Sequence, residues 1–311
     1  MIFSPDLTKT GFYPISQYYR HRFGERVHKI SVQTADRCPN RNPSRPDQTC
    51  IFCDEHGSFA TPEIKDLSLI EQIKTSRSKI AARFKVKKFL VYFQPYTSTF
   101  DKIDGLKRNI ETALEEEQIV GVVLGTRPDC LPERIFPLLR DFHNQAYVAV
   151  ELGVQCFDDE KLAFLRRGHT GKQSLDAIKK LHALSGVDIG LHLIFGLPGE
   201  TKSDLIKTAE IINSLPVNNV KLHNLHVLKG TPLERLFERG DFRPVELEEY
   251  SEKVVSFIEH LAPHIAVQRL SASTGPHTML VSPEWMTDHT RSYRFIIEKL
   301  RSMNSYQGKR S

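Results

Sequence analysis

The sequence predicts an α/β fold, and two observations carry that prediction. Six short runs rich in β-branched and aromatic residues recur between residues 28 and 230, and a stretch with helical apolar spacing separates most of them from the next. Strands that alternate with helices pair in parallel through right-handed crossovers. Six such units form a full or partial α/β barrel, or an open doubly wound sheet.

The strand candidates, in order, are residues 29–34, 88–93, 119–125, 147–154, 187–195 and 219–227. Residues 67–83, 103–117, 131–142, 174–185 and 203–215 have helical spacing, with Asp66 and Thr201 placed to cap two of these helices. No Pro-, Gly- or Ser-rich linker interrupts residues 28–230. Beyond Gly230 the alternation ends: 231–239 and 246–260 have helical spacing, 265–270 reads as a strand, and 291–303 as a basic closing helix. The expected organisation is an N-terminal extension (1–27), a core α/β domain (28–230) and a C-terminal helical and strand extension (231–311) packed on that same domain.

Composition narrows the class. The 311 residues are 40% hydrophobic and 26% charged, which excludes collagen-like, low-complexity and wholly disordered chains. No apolar run approaches the roughly 18–20 residues that span a bilayer, and residues 1–10 carry no signal-peptide pattern. A cytoplasmic protein without a membrane partner is expected. The net charge of +5 is uneven. Residues 1–100 hold 16 Lys and Arg against 9 Asp and Glu (+7), residues 101–311 hold 27 against 29 (−2), and the last 21 hold six against one (+5). Basic ends suit either an acidic macromolecule such as nucleic acid or an ordinary solvated surface.

Five cysteines are too few and too unevenly spread for a secreted disulfide scaffold. Three of them, Cys38, Cys50 and Cys53, fall within sixteen residues directly after the first strand. Loops at the C-terminal ends of parallel strands are where α/β active sites collect. Three thiolates permit a zinc site completed by His56, a redox pair of Cys50 and Cys53, or an iron–sulfur cluster with one iron left open. On spacing alone zinc and iron–sulfur stand level.

The run Cys38 … Cys50-Ile-Phe-Cys53 resembles the cluster motif of radical S-adenosylmethionine (SAM) enzymes. Its eleven-residue first gap resembles that of the Elongator catalytic-subunit-like branch and of the YhcC/YtqA-like bacterial family. Further blocks resemble the latter in order: Tyr92-Phe-Gln-Pro-Tyr-Thr97, Gly125-Thr-Arg-Pro-Asp-Cys130, Glu151-Leu-Gly-Val-Gln155, Arg166-Arg-Gly-His169, His192 to Glu200, Lys221 to Thr231, and Gln268-Arg-Leu270. The loop departs from the family in carrying Pro43, Arg45, Pro46 and Gln48 where glycines are usual. The resemblance implies a partial (β/α)6 TIM-type barrel with N- and C-terminal decorations. It also implies a [4Fe-4S] cluster on Cys38, Cys50 and Cys53, and SAM as co-substrate. An electron donor such as flavodoxin or ferredoxin would start cleavage of SAM to a 5′-deoxyadenosyl radical, which abstracts hydrogen from the substrate.

The same resemblance distributes roles. Phe52 is expected near the adenine. Gln94 or Thr97 stands where the family holds the methionine amine, although the usual Gly-Gly-Glu-type residues are absent. Glu151, a carboxylate inside an apolar strand, is expected either to accept from the ribose hydroxyls or to sit in a core salt bridge, with Gln155 a second ribose contact. Gly196 and Gly199 form a turn expected beside the adenine and sulfonium. His169, His192, Lys221, His223, His226 and Arg269 are candidates for substrate contact, and strand alternation sets Lys221 and His223 on the face opposite Asn224 and His226. Cys130 and Cys156 are expected as buried free thiols.

The long-gap motif points to tRNA and a wobble-uridine-type modification, although no acetyltransferase domain fits beyond residue 230. A porphyrin-like or other small molecule is the alternative, and a zinc-stabilised nucleic-acid-binding protein the alternative of another class. A tRNA partner predicts a basic rim around the barrel mouth from Arg20, Arg22, Lys85, Lys87, Lys88, Arg294 and Arg301.

Overall fold

The computed structural model describes residues 5–35, 37–41, 49–54, 64–94, 96–100, 103–273 and 279–311. His56, and the loop residues Pro43, Arg45, Pro46 and Gln48, lie outside the described residues. Seven strands form one parallel sheet in chain order: β1 (Val27–Val32), β2 (Lys88–Phe93), β3 (Ile119–Thr126), β4 (Tyr147–Gln155), β5 (Asp188–Phe195), β6 (Asn219–Asn224) and, past the short β7 (Val227–Leu228), β8 (Ala266–Val267). β7 pairs antiparallel with β9 (Leu280–Ser282) in a separate ribbon.

Side chains reaching across the concave face show that the sheet curls. Lys29 on β1 donates to Glu151 on β4 at 2.5 Å and to Gln268, just past β8, at 2.5 Å. On a flat sheet β1 would stand roughly 14 Å from β4 and roughly 28 Å from β8. The sheet is therefore a partial barrel with a seam between β1 and β8. The expected six strands become seven because a piece of the C-terminal segment joins the edge. Only Ala266 and Val267 of the expected 265–270 strand are regular, but the ladder continues: Gln268 N–H donates to Val220 O and Leu222 N–H to Arg269 O. Helix α1 (Ile15–Phe23) covers this seam, and Pro14 bridges to Val267.

The outer layer comprises α2 (Leu69–Phe84), α3 (Ile103–Glu115), α4 (Ile135–His143), the short α5 (Asp159–Phe164), α6 (Gly171–Ser185), α7 (Lys202–Asn213), α8 (Pro232–Glu238), α9 (Leu247–His260) and α10 (His289–Ser302). One core takes Ile30, Val91, Val122, Val150, Leu191, Val220 and Leu222 from the strands and Ile73, Ile110, Leu139, Ile178, Ile212, Phe257 and Leu300 from the helices. Each such side chain contributes about 1.5–3 kcal/mol when removed from water. The period of two then decides the inner face. With Val220 and Leu222 in the outer core, Lys221 and His223 face the lumen.

Caps account for the helix boundaries that differ from the sequence pattern. Ser68, not Asp66, caps α2: its Oγ accepts from Glu71 N–H, while Glu71 Oε2 accepts from Ser68 N–H at 2.9 Å. Asp66 falls in the turn before it. Thr201 caps α7 with Asp204. α6 starts three residues before the expected Ser174 because Thr170 and Gln173 form a capping box there.

Candidate active site at the C-terminal ends of the strands

One cavity draws on the end of, or the loop after, each of the first six strands. Its walls include Cys38, Cys50 and Cys53 after β1, Gln94 and Thr97 after β2, Arg127 after β3, Gln155 at the end of β4, Ile194 near the end of β5, and Leu225 and His226 after β6. Glu151, His192, Lys221 and His223 form its floor. All five cysteines are free thiols. Cys130 and Cys156 are buried outside this cavity's walls, and burial pushes each thiol up to about 12.

Backbone hydrogen bonds fix the cavity cysteines, and side chains reach the sulfur of Cys50. Cys53 N–H donates to Cys50 O at 3.2 Å, and Ile51 between them is tied to Leu165 O. Asn40 Nδ2 donates to Cys50 Sγ at 3.2 Å and also to the carbonyls of Arg166 and Arg167. Arg167 Nη1 approaches the same sulfur at 3.6 Å, while its Nη2 donates to Gly153 O at 3.0 Å. A Cβ on Gly153 would lie 2.4 Å from Arg167 Nη2, so glycine is what lets that guanidinium reach the thiol. Burial pushes the Cys53 thiol up to about 12, and the neighbouring Cys50 adds to this. Among the described residues no three His, Cys, Asp or Glu side chains converge on a single-ion position. Thiolates of a [4Fe-4S] cluster bind separate irons, so they need only share a wall.

Two buried polar atoms on that wall have no partner among the described residues: Thr97 Oγ1 and Arg127 Nη1, in residues 1% and 2% exposed. Arg127 otherwise pairs with Asp129 through Nε and Nη2. Orphans of this kind are costly unless a ligand meets them. A soft-sulfur donor set beside an unpaired hydroxyl and guanidinium fits a cluster with a polar co-substrate bound next to it. β4 is irregular between Leu152 and Gln155, and Gln155 has φ +69°, which turns its side chain to the cavity.

Glu151, 2% exposed, is committed on both oxygens. Oε1 accepts from Lys29 at 2.5 Å and Gln268 at 2.8 Å, and Oε2 from His192 Nε2 at 2.7 Å. Burial pushes its carboxyl up, but Lys29, His192 and Lys221 together hold it well below the usual range. Of its two expected roles, the structure shows the salt bridge. A carboxylate only accepts, so His192 carries its proton on Nε2. Burial, with Lys221 nearby, takes His192 down to about 4.

Sequence matches decide the family. Residues 32–212 match the Radical SAM superfamily, and residues 217–302 its C-terminal domain. This chain belongs to the radical SAM superfamily. It is 30% identical over 304 residues to YtqA of Bacillus subtilis, covering 97% of this chain and 93% of that protein. It is 34% identical over 265 residues to YhcC of Escherichia coli, covering 85% and 84%. A tRNA uridine(34) acetyltransferase of Methanocaldococcus jannaschii is 32% identical over 157 residues, 49% of this chain and 28% of that enzyme. The solved Methanocaldococcus infernus Elp3, with an N-terminal deletion, shares the fold at TM-score 0.68 and 19% identity; 90% of this chain spans 64% of that one. This radical SAM protein is thus an enzyme of the YhcC/YtqA-like family, and its cofactors are a [4Fe-4S] cluster and SAM. Among the described residues no helix is long and apolar enough to cross a membrane.

The expected site residues fall into four places. Phe52, Gln94, Thr97, Gln155, His192, Lys221, His223 and His226 line the cavity. Asn224, on the opposite face by strand alternation, also reaches its edge because β6 ends there, and the chain then turns His226 inward. Gly196 and Gly199 are not among its walls: Gly196 has φ +83°, packs against Val245, and gives its N–H to Glu200 Oε1 at 2.8 Å. His169 stands behind the wall, its Nε2 3.3 Å from Gly153 O, and burial beside Arg167 takes it down to about 4. Arg269 lines an adjoining cavity at the seam. Asn40, Arg127 and Arg167 had not been singled out. The blocks Gly125–Cys130 and Arg166–His169 contain two of them, and for Arg127 its place directly after a strand end is the available signal.

The expected basic rim is corrected for Arg22 and Lys88. Lys88 pairs with Val27, the first residue of β1, and forms an ion pair with Glu25. Arg22 lies over the ring of Tyr147, the first residue of β4. These residues mark the N-terminal edge of the sheet, whereas the thiols lie beyond its C-terminal edge.

Proposed function

We propose that this radical SAM enzyme acts on a uridine of tRNA. The observation that carries the substrate is the identity, over half of this chain, with a tRNA uridine(34) acetyltransferase. The match takes in only 28% of that enzyme, so what is carried over is the uridine-bearing RNA and not acetyl transfer. Cys38, Cys50 and Cys53 would hold three irons, leaving the fourth to SAM, with Asn40 and Arg167 orienting the Cys50 sulfur. Phe52, Gln94, Thr97, Arg127 and Gln155 would bind SAM, the orphaned hydroxyl and guanidinium meeting its polar groups. Bound there, the two cofactors supply one-electron cleavage of SAM and hydrogen abstraction from the substrate, the electron coming from a cytoplasmic flavodoxin or ferredoxin. Exposed Arg37 and Arg166, whose backbone carbonyls accept from Thr97 N–H and Asn40 Nδ2, replace the lysines of the far edge as phosphate contacts.

Nucleoside mass spectrometry of tRNA from wild-type and deletion cells tests this. One modified uridine missing from the deletion strain is expected, and identical profiles overturn the tRNA reading. In an anisotropy titration with total tRNA, Arg37→Glu/Arg166→Glu binds more weakly and with a shallower salt slope, while Lys87→Glu/Lys88→Glu matches wild type.

A further inference from the structure

Beneath the thiol cavity the lumen carries more positive charge than the described residues neutralise. Lys29, Lys221 and Arg269 face a single carboxylate, Glu151, whose oxygens are already taken by Lys29, Gln268 and His192. The Lys221 ammonium stands 4.0 Å from Glu151 Oε2 and lies over the Tyr92 ring at 5.2 Å. Among the described residues Arg269 has no carboxylate within ion-pair distance. Its Nη2 donates to His223 Nδ1 at 2.6 Å, and its Nε is buried without a partner. The histidines add no negative charge: burial holds both His192 and His223 down, neutral at pH 7. Burial, together with Arg269 and Lys29, also pulls the Lys221 ammonium well below its ordinary value against the opposing pull of Glu151. An anion from outside would favour the ammonium form of Lys221 and pair the buried Arg269 guanidinium.

There is room for one. A cavity of about 350 Å³ opens at the seam between β1 and β8, with Ser16, Arg26, Lys29, Ser31, Lys221 and Arg269 among its walls. It shares Tyr92, Gln94 and Lys221 with the thiol cavity, so a group bound here abuts the cofactor site. A guanidinium presents a planar fork that matches two oxygens of one group, and the ammonium adds a point charge.

We propose that Lys221 and Arg269 form an oxyanion subsite in the lumen, which takes a carboxylate or phosphate group of the substrate. This deepens the radical SAM reading and rests on it. The two sources of such a group are a nucleotide phosphate of RNA and the carboxylate of a small acid.

Thermal unfolding of the anaerobically reconstituted protein tests the subsite, with uridine 5′-monophosphate, succinate or chloride at constant ionic strength. In wild type at least one of the first two raises the midpoint saturably, by about 2 °C at ten times its dissociation constant. A rise with the nucleotide alone identifies the phosphate source, and a rise with succinate alone the small acid. Lys221→Met and Arg269→Gln each lose the rise, whatever their own midpoints in chloride. Lys221→Gln serves where the methionine variant does not fold. No saturable rise with either probe overturns the proposal, as does a rise that survives in both variants. Loss of the rise at saturating SAM also overturns it, since the cations would then serve SAM's own carboxylate. Iron, sulfide and SAM cleavage measured on the same samples report separately on the radical SAM reading.

Discussion

The thiol cavity and the lumen beneath it share a wall but are built on opposite principles. Above, the chain beyond the strand ends supplies the ligands: Cys38, Cys50 and Cys53 follow β1, and Asn40 and, from the turn after α5, Arg167 reach the Cys50 sulfur. Below, regular strands supply them: Lys29, Glu151, His192 and Lys221 each project from a different strand and meet because the sheet curls. The loop site is short of partners for Thr97 and Arg127, and the lumen is short of negative charge. A site made of loops can lose one ligand without unfolding the barrel. A site made of strand side chains is also part of the barrel's own electrostatics, so function and stability cannot be separated there.

The largest effect that separates the two regions is on cluster assembly. Cys38→Ala, Cys50→Ala and Cys53→Ala each lose the full cluster, read as iron and sulfide per chain after anaerobic reconstitution, while Cys130→Ala and Cys156→Ala retain it. A full cluster in Cys50→Ala would end the assignment of ligands. All five variants stay folded by far-UV circular dichroism, which is the loop half of the comparison.

The lumen should respond the other way. Glu151→Gln leaves Lys29, Lys221 and Arg269 around a neutral amide, at a cost of about 3–5 kcal/mol. Denaturant unfolding should show that loss. If the variant is instead as stable as wild type and binds SAM more weakly by calorimetry, Glu151 is a ribose acceptor after all.

Acid should also attack the lumen first. The folded-state values of His192 (about 4) and of Glu151 both lie below those of the unfolded chain, so between these limits the unfolded chain binds more protons. The stability they contribute is present above about pH 6.5 for His192 and above the ordinary carboxylate value for Glu151, and it is lost as pH falls through each folded value. Unfolding free energy measured from pH 7 to pH 4 should fall, and His192→Asn should flatten the upper part of that slope. An unchanged slope would mean that His192 is not buried as a neutral donor.

Gly153→Ala joins the two regions with a smaller effect. The added Cβ displaces the Arg167 guanidinium from Cys50, so the protein should fold and load iron while the reduction midpoint of the cluster moves in a potentiometric titration. No movement would make Arg167 a purely structural residue. The smallest test concerns only local structure: Ser68→Ala should cost about 1 kcal/mol and Asp66→Ala close to nothing, by denaturant unfolding.

Much of this enzyme was legible in the order of its residues. Strand and helix periods are local, so the six main strands and the helices between them could be read from spacing alone, as could the cysteine trio in the loop after the first. Helices α1 and α5 escaped because neither has enough buried positions to show a period: α1 buries only Tyr19, and α5 only Leu162. The sequence by itself determined the α/β class, the family and the thiol loop. Tertiary structure alone decided that Lys29 and Gln268, 239 positions apart, would meet over Glu151, because contact across a lumen depends on curvature and not on spacing along the chain. It likewise decided that Lys221 and His223 face inward, since a period of two tells which residues share a face but not which face is covered. Only the burial of Val220 and Leu222 in the outer core settles that.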